Sequence, residues 1–306
     1  MSAGKNAAEQ SVTERIVYVR AQDGLKLGLR LYGEWHAERL PLLCLPGLSR
    51  NSLDFDKLAR FFASHRETPR TVAALDFRGR GLSAADPHWR NYHPMVEAAD
   101  VMAVTTALGM ERAIVVGTSR GGLVAMVLAA LRPKLLAGVV LNDIGPKIEG
   151  TGLARIKNYL GRMRAPRSWA EAEEMVRQIN GRTFTEVSDE DWKAFTEAMF
   201  VERDGKLSPY FDPNLLKTVH NLDLEDAIPT LWPQFASLRS VPVLSVRGAN
   251  SDLLSPAVVD EMARLHPAME RLTVSGQGHA PLLRDAPTLN RLAAFARRCD
   301  EHSPAV

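Results

Sequence analysis

The feature that most narrows the possible folds is the hexapeptide Gly117-Thr118-Ser119-Arg120-Gly121-Gly122. The β-branched run Ala113-Ile114-Val115-Val116 precedes it and reads as a buried strand. Residues 123–131 are strong helix formers, closed by Arg132-Pro133. A serine is therefore held on a sharp strand-to-helix turn, with a glycine two residues to either side. A side chain at either glycine would crowd the neighbouring backbone. The free N–H groups and positive dipole end of the helix point toward the serine, an arrangement suited to stabilising an oxyanion. A bare Gly-x-Ser-x-Gly is a weak pattern, and a serine N-cap in a Gly-rich turn is its plain structural reading. The strand before it and the helix after it give it weight.

The same alternation extends in both directions. Residues 15–19 and 25–31 read as two strands around the turn Asp23-Gly24. Residues 40–45 form an apolar strand ending in the loop Pro46-Gly47-Leu48-Ser49-Arg50-Asn51. A helix over 52–65, a strand over 71–75, the loop 76–83 and a helix over 95–108 lead back to the strand before Ser119. Beyond 131 the strands are 137–142, 243–247 and 270–274, with helices near 231–238, at 256–265 and at 281–298. Long crossovers between apolar strands predict an α/β fold: a mostly parallel eight-stranded sheet with helices on both faces. The alternation stops between 146 and 231. There Ser168 with Glu171 and Ser188 with Asp191 cap two helices striped with Trp, Phe and Met, so an all-helical inserted cap is expected. The expected division is a core domain of residues 13–145 and 232–300, a cap of 146–231, and flexible tails at 1–12 and 301–306.

Bulk properties exclude several function classes. A net charge of +2 on 306 residues gives no electrostatic footprint for nucleic acid or an acidic membrane surface. Cys44 and Cys299 have neither metal-ligand nor redox spacing. The amino-terminal residues lack the apolar core of a signal peptide, and the longest apolar run, 123–131, is far shorter than a membrane span. A cytoplasmic protein, monomeric or homodimeric, without metal or organic cofactor and with a small-molecule partner, is the expectation.

In an open parallel sheet, ligands bind at the carboxyl ends of the strands. Ser119, Asp252 and His279 each follow a predicted strand and so share that edge. A serine hydroxyl needs a base within hydrogen-bond reach, and an imidazole serves that purpose if a carboxylate fixes its tautomer. Four segments together, Gly117-Thr118-Ser119-Arg120-Gly121-Gly122, Asp76-Phe77-Arg78-Gly79-Arg80-Gly81-Leu82-Ser83, Arg247-Gly248-Ala249-Asn250-Ser251-Asp252 and Gly276-Gln277-Gly278-His279, resemble the α/β-hydrolase superfamily in its capped, esterase-like branch. The resemblance implies Ser119 as nucleophile, His279 as base, Asp252 as orienting acid, and an oxyanion hole from the backbone N–H groups of Leu48 and Arg120. It implies hydrolysis of a carboxylic ester or related acyl bond through an acyl-enzyme. Lactone opening, C–C bond hydrolysis of an anionic substrate, perhydrolysis and a receptor-like binding role on the same fold are the alternatives. Many relatives carry His-Gly where this chain has Pro46-Gly47.

Asp143 is the rival acid, because it too follows a strand on the same edge and some relatives place their carboxylate there. Asp252 is preferred because its loop is the one the superfamily uses most often. Two roles are open to Arg120: recognition of a substrate carboxylate, or an ion pair with Asp143 or Glu97. His88, His93 and His220 lie near the expected pocket, while His65, His266 and His302 fall near helix ends, where solvated or capping roles are expected. Asp76 and Arg78 are expected to organise their own loop.

Overall fold

The computed structural model describes residues 12–221 and 228–302. Its strands are β1 (Glu14–Arg20), β2 (Lys26–Tyr32), β3 (Leu42–Leu45), β4 (Val72–Leu75), β5 (Ala113–Thr118), β6 (Leu136–Asn142), β7 (Phe200–Arg203), β8 (Lys206–Pro209), β9 (Val243–Gly248) and β10 (Glu270–Val274). Its helices are α1 (Asp56–Ala63), α2 (Pro94–Ala107), α3 (Arg120–Leu131), α4 (Gly150–Gly161), α5 (Trp169–Asn180), α6 (Asp189–Met199), α7 (Leu216–His220), α8 (Trp232–Ala236), α9 (Pro256–Leu265) and α10 (Ala286–Glu301). The expected tails, 1–12 and 301–306, fall outside the described residues except for Val12, Glu301 and His302; Glu301 ends α10 and His302 caps it.

Eight strands form one sheet in the order β1-β2-β4-β3-β5-β6-β9-β10. β1 pairs antiparallel with β2, and β2 with β4; every other pairing in that sheet is parallel. The period-two alternation explains why both faces are covered. Leu43, Leu45, Ala113 and Val115 point to one side, where they pack with α2, α3 and α9. Leu42, Cys44, Ile114 and Val116 point to the other, against α1 and α10. Cys44 is thus a small buried side chain, as its setting in an apolar strand suggests.

The strand order reverses between β3 and β5. A crevice opens at such a switch point, outside the carboxyl ends of the two strands. The loop carrying Gly47 and Leu48 leaves β3 there, and Ser119 leaves β5 beside it.

Two stretches depart from the sequence-based expectations. The expected helix over 52–65 divides into a 3-10 turn, Ser52–Phe55, capped by Asn51, and α1. The inserted segment is not all helical. β7 and β8 form a hairpin around Asp204-Gly205, whose φ angles are 51° and 70°, the left-handed pair that a two-residue hairpin turn requires. The helical stripe of Trp192, Phe195 and Met199 runs straight into Phe200, which masked the short strand that follows. The chain then returns to the sheet edge, where Phe211 bridges Arg80 and the N–H of Gly81 donates to the Tyr210 carbonyl at 3.0 Å.

Close packing of α3 on the sheet explains the glycines of the hexapeptide. A Cβ at Gly121 would lie 2.1 Å from the Leu45 carbonyl oxygen, and one at Gly117 would lie 2.6 Å from the Gly121 backbone. Neither neighbour is a flexible side-chain end. Gly121→Ala should therefore push α3 off β3 and lower stability by about 1–3 kcal/mol, the usual cost of overpacking. Urea denaturation reads this as a lower midpoint, and a midpoint equal to that of the parent protein would contradict the packing account.

Candidate active site

Ser119 has φ 49° and ψ −110°, a left-handed backbone that an L side chain rarely adopts. The conformation is held from both sides. Its N–H donates to the Asn142 carbonyl at 3.0 Å, and its own carbonyl accepts from Gly122 and Leu123 at 2.9 and 3.2 Å. The turn lifts Oγ clear of the sheet, to 2.9 Å from His279 Nε2.

The other imidazole nitrogen, Nδ1, lies 2.8 Å from Asp143 Oδ2. Asp143 is fully buried and the His279 side chain is 7% exposed. A buried carboxylate can only accept, so the proton sits on Nδ1 and Nε2 is left to accept from the serine hydroxyl. Asp143 is itself in a left-handed turn, with φ 55°. Its carboxylate also accepts from the Gly248 N–H at 2.8 Å and the Ser251 hydroxyl at 2.5 Å. Three donors around one buried carboxylate compensate its desolvation.

The structure thus corrects the expected acid. Asp252 makes no hydrogen bond or ion pair with His279 among the described residues; the Arg155 guanidinium grips it through Nε at 2.6 Å and NH2 at 2.9 Å. Burial raises the Asp252 pKa, but the bond and charge of Arg155 outweigh it and hold the carboxyl below its ordinary value. The competitor comes from α4, which lies against the Asp252 loop through Gly152, where a Cβ would stand 2.7 Å from the Asp252 carbonyl oxygen. Asp143 and Asp252 follow neighbouring parallel strands, so position on the sheet edge alone could not separate them. The end of β9 and the loop after it still serve the site, since Gly248 and Ser251 supply two of the three donors to Asp143.

The oxyanion expectations concern backbone groups. The Arg120 N–H opens α3 and has no partner within the helix. Leu48 lies in the loop after β3; among the described residues its N–H donates no hydrogen bond. That loop runs close beside the serine, for a Cβ at Gly47 would lie 3.9 Å from Ser119 Cβ. Pro46-Gly47, in place of His-Gly, leaves this approach intact.

The Arg120 side chain has the partner weighed as its second role. Its Nε donates to Glu97 at 2.6 Å and its NH2 to the Tyr92 carbonyl at 2.8 Å. His93 caps α2 through its Nδ1 and lines the cavity over Ser119, whereas His88 and His220 are not on its wall. His65 accepts from the Thr68 N–H, and His302 caps α10. His266 differs from a solvated histidine: it is buried, with Nε2 between the Leu238 and Val241 carbonyls. Asp76 and Arg78 do organise their loop. Asp76 accepts from the N–H groups of Ser52 and Leu82, its pKa pushed up to about 6 by burial. Arg78 binds Asp86 and Asp100, both buried.

A cavity of about 800 Å³ opens over Ser119, roofed by the inserted segment. Leu123, Ile144, Ile156, Tyr159, Phe195 and Met199 give it an apolar lining. Its five arginines are mostly engaged elsewhere. Arg50 binds Asp54, Arg120 binds Glu97, Arg155 binds Asp252 and Arg284 binds Asp191, while Arg90 stacks on Trp89 at 4.8 Å. No group of three or more side chains able to hold a metal ion occurs among the described residues, and no described helix is long and apolar enough to cross a membrane.

Comparison with known proteins agrees with this architecture. A sequence model of the Alpha/beta hydrolase family matches residues 42–291. The chain is 29% identical over 285 residues to the 3-hydroxybutyrate-oligomer hydrolase of Cupriavidus necator, covering 90% of this chain and 95% of that one. It is 30% identical to the mouse sn-1-specific diacylglycerol lipase ABHD11 over 78% of this chain and 74% of the other. Among solved structures, an alpha/beta hydrolase from Novosphingobium aromaticivorans superposes with a TM-score of 0.82 at 32% identity, covering 94% of this chain and 98% of that one.

The exchange of acids yields a direct prediction. Asp143→Asn should lower kcat by about 10³- to 10⁴-fold, because the amide would present the wrong imidazole tautomer to the serine. Asp252→Asn should change kcat by less than about tenfold, since its carboxylate holds Arg155 rather than the base. Steady-state kinetics on an activated ester tests the pair, and the reverse ranking would restore Asp252 as the acid.

Proposed function

The chain belongs to the alpha/beta hydrolase family, and on that premise we propose that it hydrolyses a carboxylic ester, or a closely related acyl bond, of a small and largely neutral molecule through an acyl-enzyme. The observation that carries the proposal is the continuous hydrogen-bonded line Ser119–His279–Asp143 at the wall of an apolar cavity.

In the first half-reaction Ser119 Oγ attacks the ester carbonyl as His279 Nε2 takes its proton. The imidazolium is stabilised by Asp143, and the N–H groups of Leu48 and Arg120 hold the tetrahedral oxyanion, at a typical value of about 3 kcal/mol per donor. His279 then protonates the leaving alcohol. In the second half-reaction it activates a water, which displaces the acyl group and restores the serine. Every step uses the chain's own residues and calls for no cofactor. A monomer or homodimer is sufficient, because each proposed catalytic group comes from one chain.

Two features bear on the substrate. A cavity of about 800 Å³ lies in the range that takes a drug-sized molecule. Four of the five wall arginines are paired with carboxylates, and the fifth, Arg90, is exposed and lies against Trp89. This favours a neutral acyl group, and engagement of Arg120 by Glu97 removes the observation that favoured an anionic substrate. The named relatives act on 3-hydroxybutyrate oligomers, which end in a carboxylate, and on diacylglycerol, which is neutral. Both are esters, so both belong in the first substrate panel, where they also separate an anionic from a neutral substrate.

Ser119→Ala should abolish turnover of p-nitrophenyl butyrate. With the unaltered protein, that neutral ester should be cleaved at least about tenfold more efficiently than p-nitrophenyl hemisuccinate, given the cost of burying a charge without a free partner. Turnover that survives Ser119→Ala would refute the acyl-enzyme. Preference for the charged ester would refute the substrate class alone. Single-turnover behaviour on every ester of the panel would favour a receptor-like protein.

A further inference from the structure

Beneath the proposed oxyanion hole lies a buried charge cluster whose residues the catalytic line does not use. Glu97, in the first turn of α2, is completely buried between two guanidinium groups. Its Oε2 accepts from Arg120 Nε at 2.6 Å, and its Oε1 lies 2.9 Å from Arg80 NH2 in an ion contact. The Arg80 side chain is likewise fully buried. Its Nε donates to the Leu48 carbonyl at 2.8 Å and its NH1 to the Arg78 carbonyl at 2.6 Å.

These contacts form one chain, hydrogen-bonded at both ends and joined by an ion contact in the middle: the Leu48 carbonyl, Arg80, Glu97, then the Arg120 guanidinium. Leu48 and Arg120 are the two residues whose N–H groups are proposed to bind the oxyanion, and they come from separate loops, after β3 and β5. The bond to the Leu48 carbonyl anchors the peptide that follows the one carrying the Leu48 N–H, so it restrains the donor segment at Leu48 rather than the N–H plane itself. A helix start is fixed in place when its first side chain is anchored at both Nε and NH2. We propose that Glu97 is a positioning residue of the oxyanion hole, the single carboxylate that ties its two donor segments together through Arg80 and Arg120.

Charge supports the same assignment. Burial raises the Glu97 pKa, but Arg120 and Arg80 together outweigh it and keep the carboxyl below its ordinary value, so the strut stays ionised. Without the Glu97 carboxylate the Arg80 and Arg120 guanidiniums would be left as two like charges with no anion between them, so both the charge pairing and the geometry of the cluster depend on Glu97.

The inference rests on the acyl-enzyme reading, so the test carries controls for both. The parent protein, Ser119→Ala, Glu97→Gln and Arg120→Met are compared with p-nitrophenyl butyrate, Ser119→Ala per mole of protein and the others normalised to active sites by titration with a fluorophosphonate probe. Per active site, Glu97→Gln should lose about ten- to a hundredfold in kcat, less than deletion of a whole oxyanion donor, with KM changed by less than about threefold. Its affinity for a trifluoromethyl ketone, whose adduct places an oxyanion in the hole, should fall by a similar factor, while affinity for the matching methyl ketone stays constant. Arg120→Met, which leaves the Arg80–Glu97 contact in place, should show the same kcat loss on neutral and anionic esters; it also decides the matter if Glu97→Gln does not fold. Unchanged kcat per active site in the folded variants, or a loss confined to KM, overturns the positioning role while Ser119-dependent turnover still supports the acyl-enzyme. Turnover that survives Ser119→Ala overturns both.

Discussion

The arrangement of this molecule depends on the contact between a buried carboxylate, Asp143, and one imidazole nitrogen of His279. At 2.8 Å between two buried side chains, the bond sets which nitrogen carries the proton and so leaves the other free to face Ser119. The cost of burying Asp143 is offset by hydrogen bonds from Gly248 and Ser251 as well as the imidazole. Those donors are in place only because β9 runs parallel to β6, so that the two strands end side by side. Sheet order, loop conformation and proposed chemistry meet in that one pair.

Much of this was legible in the residues. The strand, tight turn and helix around Ser119 follow from local composition, and the run of apolar strands and amphipathic helices determines a doubly covered parallel sheet. His279 stands apart from the other histidines by its place after the last strand in a Gly-rich loop. The carboxylate partner of His279 was not legible, for a physical reason. Asp143 and Asp252 occupy equivalent positions after adjacent strands, and what separates them is Arg155, on a helix 97 residues before Asp252 in the chain. Only the packing of α4 through Gly152 brings that guanidinium to Asp252. The partner of Arg120 had the same character. Glu97 was one of two carboxylates weighed, and the choice depended on the rotation of α2 against α3.

The hairpin in the inserted segment shows a different kind of failure. Its signal, Asp204-Gly205, is the same dipeptide that marks the turn between β1 and β2. Helical stripes precede it on two helices, so the apolar pattern of the segment as a whole reads as helical. The hairpin is linked to the site: residues just after β8 bond to Gly79 and Gly81, in the loop that also carries Arg80. The inserted segment therefore does more than roof the cavity, since it also braces the loop from which Arg80 reaches Leu48.

The central claim is that Ser119 carries the acyl group between the two half-reactions. Rapid acid quench of the protein with p-nitrophenyl butyrate, followed by peptide mass spectrometry, tests it most directly. The account predicts a butyryl mass increment on the peptide containing Ser119, in amounts that rise when deacylation is slowed. Product release with no acylated peptide, or an increment on any other residue, would contradict it.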